Sequence, residues 1–195
     1  MKNRNLIILI VGLVVILIIS GVNSYNGLVT AEEKVDGQWA QVENVYQRRA
    51  DLIPNLVSTV KGYADFEKQT LTDVVEARSK ATSIQIDPTN LTDANIGQFQ
   101  AAQEQLSGAL SRLLVTIEKY PDLKANRNFL ELQAQLEGTE NRITVERNKF
   151  NEQAKFYNTA IRKFPKSIFA SMFNFERKGY FAAVEGAEKA PVVEF

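Results

Sequence analysis

Between Leu28 and Val60 the apolar residues Leu28, Val35, Trp39, Val42, Tyr46, Ile53, Leu56 and Val60 recur in steps of three and four, or their sums, without losing phase. Such spacing forms a single face only on a helix, where residues three and four apart stand one above the other. Arg49 occupies a place in this stripe, between Tyr46 and Ile53. Three more stripes follow: Leu71, Val74 and Val75; then Ile96, Phe99, Gln103, Leu106, Leu110, Leu113, Ile117 and Tyr120; then Phe129, Leu132, Leu136, Ile143, Phe150, Ala154, Tyr157, Ile161 and Phe164. No useful length of chain alternates as a strand would. Four amphipathic helices can hide their stripes only against one another, so the expected fold is all-α, an antiparallel up-and-down four-helix bundle with long helices over residues 25–165.

The breaks between stripes carry helix punctuation. Lys61 and Gly62 suit a helix end in which glycine takes the left-handed conformation, and Asp65 is placed to cap a second helix running from about Phe66 to Ala81. Residues 82–95, TSIQIDPTNLTDAN, lose the period and read as a connection, with Thr92 or Asp93 opening the third helix. Tyr120-Pro121 stops that helix, Asp122 is expected to cap the last one, and Pro165 ends it. Pro54 lies inside the first stripe, removes a backbone donor and crowds the carbonyl of Ala50; a kink is expected there.

Ahead of the first stripe, Leu6 to Val22 holds no charged residue. At helical rise this run covers roughly 25 Å, near the lower limit for crossing a bilayer. Lys2 and Arg4 precede it, and no basic residue follows before Lys34, so the charge bias puts the N-terminus in the cytoplasm and the rest outside. Residues 1–24 are therefore expected to be a single membrane span, with cleavage after Ser24 as the competing reading. An even number of helices beyond the span returns the chain to its starting side. Residues 166–195, an aromatic-rich C-terminal segment, should then lie near the bilayer.

Composition narrows the chemistry. The chain has no histidine and no cysteine, which removes the commonest general base, the commonest metal ligand and every thiolate site. Lys plus Arg and Asp plus Glu both number 23, so no net field draws in nucleic acid, and no nucleic-acid partner is expected. No cofactor or metal is expected either. Glu32-Glu33 reads as a solvated face, and the sequon at Asn90 is a pattern common by chance.

Three stretches stand out. In QRRADLIPNLV, residues 47–57, a catalytic reading would make Asp51 a base beside Arg48 and Arg49, but no nucleophile or metal ligand accompanies them. The structural reading turns Arg49 into the bundle seam toward a carboxylate of LEGTENRI, residues 136–143, where Glu137 and Glu140 offer acid and Gly138 would admit a neighbouring helix closely. In FPKSIFASMFNFERKGYF, residues 164–181, phenylalanines including Phe169 and Phe173 either fold back to close the bundle end or rest on lipid headgroups beside Lys163, Lys166, Arg177 and Lys178.

The ordered motifs YNGLV (25–29), WAQVENVYQRRADLIPNLVSTVKGYADFE (39–67), EAR (76–78), YPDLKAN (120–126), LEGTENRI (136–143), YNTAIRKFP (157–165) and GYF (179–181) closely resemble the LemA family of bacterial membrane proteins. The resemblance implies an N-terminal anchor and an extracytoplasmic helical bundle in the bacterial inner membrane, and it implies no catalytic residues. Arg48, Arg49, Asp51, Pro54, Asn55, Gly138, Asn141 and Arg142 stand where the family's signature residues do, whereas the tail from Asn174 runs past the usual aromatic ending. The expected function is a membrane-tethered, non-enzymatic interaction or scaffold protein that binds protein partners or copies of itself. A lipid or small-ligand binding module, or a carboxylate-based enzyme, is the alternative.

Overall fold

The computed structural model describes residues 2–62 and 67–182, with side chains from Asn5 onward. The described chain is helical: α1 (Lys2–Lys61), α2 (Lys68–Ser83), α3 (Asp93–Ile117), α4 (Pro121–Lys124), α5 (Arg127–Ala160) and α6 (Lys166–Met172), with one 3-10 turn at Pro88–Asn90. No strand occurs among the described residues.

The 60 residues of α1 form one helix. At 1.5 Å per residue it is about 90 Å long. The apolar run and the first amphipathic stripe are parts of the same rod, without a linker at residues 24 and 25. Side chains from Asn5 to Ile19 are exposed, Ser20 and Gly21 in the last turn of the run are partly covered, and full burial begins just past it at Ser24. This is the single described helix long and apolar enough to cross a membrane.

Cross-contacts set the directions of the other helices. Arg49 of α1 meets Glu140 of α5, and Trp39, ten residues earlier, packs its ring 5.5 Å from that of Phe150, ten residues later, so α1 and α5 run antiparallel. α2 returns along the far half of α1, with Arg78 beside Ala50 and Leu71 in one cluster with Val57 and Val60. α3 reverses again, placing Gln103 against Ala81, while Arg112 shares a groove with Asp73.

Helix lengths explain how the core divides. α2 has 16 residues against 34 in α5, so it walls only the half of the bundle farther from the apolar run. There Ile53, Leu56, Val74, Leu106, Leu113 and Phe129 form a four-helix core. In the nearer half, Trp39, Phe99, Phe150 and Tyr157 face a side that α2 does not reach, and Ile86, Leu91 and Phe181 fill it from the 84–91 connection and the C-terminal segment. Burying a large aromatic side chain in this way contributes about 2–3 kcal/mol.

α1 continues as helix through Pro54, and the carbonyl the proline leaves unmatched accepts from Arg78. Several expectations are corrected. Gly62 follows α1 outside the left-handed region. Asp65 lies outside the described residues, and α2 starts after Glu67 without a side-chain cap. Val75 is 48 % exposed and Phe164 81 %, so neither belongs to an inward stripe. The last long helix is capped by Asn126, whose side chain accepts from the Phe129 N–H, and Asp122 lies in the separate turn α4. Thr92 caps α3, which frees Asp93 for the C-terminal segment.

Candidate functional site: an arginine clamp and a clasped C-terminal segment

Arg49 is 2 % exposed and sits where the two halves of the core meet. Its fork reaches two helices at once. Nη1 donates to Ser107 Oγ and to Glu140 Oε2, both at 2.8 Å. Nη2 donates to the Gln103 carbonyl at 3.2 Å and to Gln103 Oε1 at 2.7 Å, and the guanidinium carbon lies 5.1 Å from the centre of the Tyr46 ring. Gln103 passes the network on through its Nε2, which donates to the Ala81 carbonyl at 3.1 Å. One cation thus ties α1 to α3 and α5, and through Gln103 to α2. A lysine has neither the planar fork nor enough donors for this. Burial holds the Tyr46 hydroxyl above its ordinary pKa, with Arg147 and Arg49 acting in the opposite direction.

Pro54 belongs to the same stretch. A proline cannot donate to the carbonyl four residues earlier. That carbonyl, on Ala50, accepts from Arg78 Nε at 2.7 Å. The other expected site residues are on the surface: Arg48, Asp51, Pro54 and Asn55 on α1, and Glu137, Gly138, Glu140, Asn141 and Arg142 on α5, are all exposed. Asp51 accepts from Gln47 and Glu137 from Gln133 along their own helices. Gly138 admits no close neighbour, since a Cβ there would meet nothing within 4 Å, which corrects the expectation of a tight helix approach. Phe169 is half-buried, and Phe173 is 50 % exposed with its ring edge-on to Tyr25 at 4.9 Å.

The C-terminal segment does not merely cap an end. After α6, Asn174 turns the chain at φ 55°, and residues 175–182 run back along the bundle side. Side chains of α3 and α5 read its backbone as a sheet neighbour would. The Lys178 N–H donates to Asn158 Oδ1 and its carbonyl accepts from Asn158 Nδ2. Phe181 is held in the same two-way manner by Asn151, and Ala182 by Gln100. The Gly179 N–H donates to the Leu91 carbonyl and the Tyr180 N–H to Asp93. Every backbone N–H from Lys178 to Ala182 is therefore paired, as burial of a strand-like segment requires. Gly179 is obligatory, because a Cβ would lie 2.5 Å from the Asp93 nitrogen.

Side chains lock the segment further. Lys178, 4 % exposed, places Nζ 3.1 Å from Glu32 and 3.5 Å from Asp36. Burial raises the Asp36 pKa, Lys178 opposes that rise, and Glu32 adds to it. The Tyr157 hydroxyl is pushed upward by its own burial and by the same two carboxylates. Glu32 is thus half of an ion pair, not a solvated face. Phe181 lies parallel to Trp39 at 5.9 Å and edge-on to Phe150 at 5.5 Å. Sequence reasoning put Gln103 on the inward stripe of α3 but did not single out Arg78, Asn151, Asn158 or this pairing of Lys178; the closest signal was that the EAR and GYF motifs stand apart from any apolar stripe.

Among the described residues no group of three or more acidic side chains comes together to hold a metal ion. The arrangement fastens helices and seats a peptide.

Over 174 residues the chain is 27 % identical to the magnetosome protein MamQ of Magnetospirillum gryphiswaldense, covering 80 % of this chain and 64 % of that protein. It is 24 % identical over 160 residues to the protein LemA of Metamycoplasma hominis, covering 82 % and 69 %, and 25 % identical over 183 residues to MamQ 2 of Paramagnetospirillum magneticum, covering 80 % and 64 %. The chain thus spans less than two thirds of the length of the MamQ proteins it matches. The LemA family model matches residues 38–195, which contain the arginine clamp, the Pro54–Arg78 bridge and the clasped segment, and the chain belongs to the LemA family.

Proposed function

We propose that this protein is a single-span component of the bacterial inner membrane, with its N-terminus in the cytoplasm and its bundle in the periplasm or outside the cell, where it acts without catalysis as an interaction or scaffold protein. The observation that carries this reading is the division of labour within the signature stretches. Arg49 and Pro54 are committed to holding helices together, whereas Arg48, Asp51, Asn55, Asn141 and Arg142 are exposed within two turns of the Arg49–Glu140 crossing. Polar side chains gathered at one height of a rod, with no structural duty across helices, suit recognition of a protein partner or of another copy. The continuous α1 supports tethering, since it would hold that height at a set distance from the bilayer.

For the alternative of a small-ligand module, the most apolar groove away from the span lies beside Arg49 and is lined by Leu56, Leu110, Leu114 and Leu136. Its volume, about 240 Å³, is below the usual range for such sites, roughly 300–1,000 Å³. A carboxylate-based enzyme would need paired acids in a water-excluding site, whereas Glu137 and Glu140, which rim this same groove, are both exposed.

The test is photo-crosslinking in intact cells from Asn55 and Asn141, with exposed Val115 on α3 as the control position. Discrete adducts from the first two that disappear on charge reversal at Arg48 or Arg142 are expected. Only monomer at all three positions overturns the scaffold reading.

A further inference from the structure

We propose that α6, with the turn at residues 162–165 ahead of it, is an interfacial foot, lying in the headgroup layer of the bilayer with Phe164, Ile168 and Met172 in lipid and Lys163 and Lys166 on lipid phosphates. The proposal rests on the anchoring read above and adds a second point of membrane contact.

The depth of α6 follows from what it touches. The uncharged run ends at Val22, and a bilayer core about 30 Å thick takes about 20 helical residues, which on α1 brings its outer boundary to the neighbourhood of Gly21 to Tyr25. α6 is packed at that level. A Cβ on Gly21 would lie 3.1 Å from Phe169 Cε1, so the glycine is what lets the Phe169 ring sit against the span. One turn on, the Tyr25 ring meets Phe173 at 4.9 Å and Phe175 at 5.7 Å. Aromatic rings concentrate at this boundary because one end of each is apolar and the other tolerates water.

What the foot leaves uncovered fits a lipid surface. Phe164 is 81 % exposed, Ile168 52 %, Met172 65 % and Phe173 50 %. The first three recur every four residues, an unusual concentration of large apolar groups for a face meant for water. From Ile161 to Phe175 the charged residues are Arg162, Lys163 and Lys166, with no acid among them, which complements anionic phosphates. Beside the foot a notch of about 440 Å³ is lined by Ile16 and Ile19, then Ser20, Asn23, Ser24 and Lys166. Along α1 that order is apolar first and polar above, the order of an acyl chain and its phosphate.

The chain contains no cysteine, so single reporters can be placed cleanly. Val11→Cys in the span, Met172→Cys on α6 and Glu131→Cys near the far end of α5 would each carry a nitrobenzoxadiazole group. The full-length chain is reconstituted in nanodiscs of phosphatidylethanolamine and phosphatidylglycerol containing spin-labelled lipid. Strong quenching at positions 11 and 172, with none at 131, is expected, and Lys166→Glu should reduce quenching at 172 without altering it at 11. Quenching at 11 with a reporter at 172 no more quenched than that at 131 overturns the foot while leaving the anchor standing. No quenching at 11 overturns the anchor, and the foot with it.

Discussion

Arg78 donates its Nε–H to the carbonyl of Ala50 at 2.7 Å, replacing the backbone donor that Pro54 lacks. The proline therefore does not weaken α1 so much as create a docking point for α2. Removing the arginine by Arg78→Met leaves that carbonyl without its partner and should cost about 1–3 kcal/mol. In a Pro54→Ala background the residue at 54 donates to Ala50 itself, so the same change should cost less, by about 1 kcal/mol. Urea unfolding of the full-length protein in detergent, followed by the fluorescence of the sole tryptophan, Trp39, measures both. Equal losses in the two backgrounds would mean that Pro54 and Arg78 are unrelated.

The arginine clamp makes a sharper contrast between partners. Arg49→Met strands Gln103 Oε1 in the interior and takes a donor from the half-buried Ser107 hydroxyl, and a loss of about 2–4 kcal/mol is expected. Glu140 is 53 % exposed, so solvent screens its share, and a double-mutant cycle between Arg49 and Glu140 should give coupling below about 1 kcal/mol. Coupling between Arg49 and Gln103, both buried, should be larger. Arg49→Lys keeps the charge but not the fork and should fall between wild type and Arg49→Met.

These two contacts also mark how far the sequence could be read. That Arg49 faces the seam followed from its register between Tyr46 and Ile53, because a helical stripe assigns each position to a face. That Glu140 lies opposite could be narrowed to two acids on one stretch and no further, since Glu137 and Glu140 differ by less than a turn. Arg78 was out of reach, because its partner is a carbonyl, and carbonyls have no sequence signature. The clasped segment was hidden for a related reason: Asn151, Asn158 and Gln100 recognise backbone, so nothing in residues 178–182 announces the match. Phe181 could be counted as apolar but not placed, since the gap it fills exists only because α2 is short.

Lys178 links stability to pH. The Asp36 pKa is raised, burial outweighing the attraction of Lys178. A folded state that holds a proton more tightly than the unfolded chain loses stability as pH rises from the ordinary carboxylate value through the raised one. Lys178→Met removes the opposing charge and moves Asp36 further upward. Asp36 and Glu32 are 25 % and 32 % exposed, so the variant should be weaker by about 2–4 kcal/mol near neutral pH. The deficit should shrink as the pH is lowered toward the ordinary value 3.8 and Asp36 takes up its proton. A deficit equal at about pH 7 and about pH 4 would contradict this account of the ion pair.

The role of the C-terminal segment as the missing wall of the lower bundle can be tested without touching its polar contacts. Phe181→Ala removes a ring 4 % exposed that is stacked on Trp39 at 5.9 Å and edge-on to Phe150. The change should cost about 3–5 kcal/mol, because the α-helices around it cannot close over the space. Trp39, now 0 % exposed, should shift its emission to longer wavelength as water enters. Gly179→Ala approaches the same wall from its backbone. The added Cβ would lie within 2.7 Å of the Asp93 nitrogen and Cα and of the Thr92 carbonyl carbon, none of which can rotate away. The segment should lift from α3 even though the Phe181 side chain is intact, and the Trp39 emission should move in the same direction. If Gly179→Ala leaves that emission unchanged while Phe181→Ala shifts it, then Phe181 acts as a plug whose seating does not depend on the paired backbone of residues 178–182.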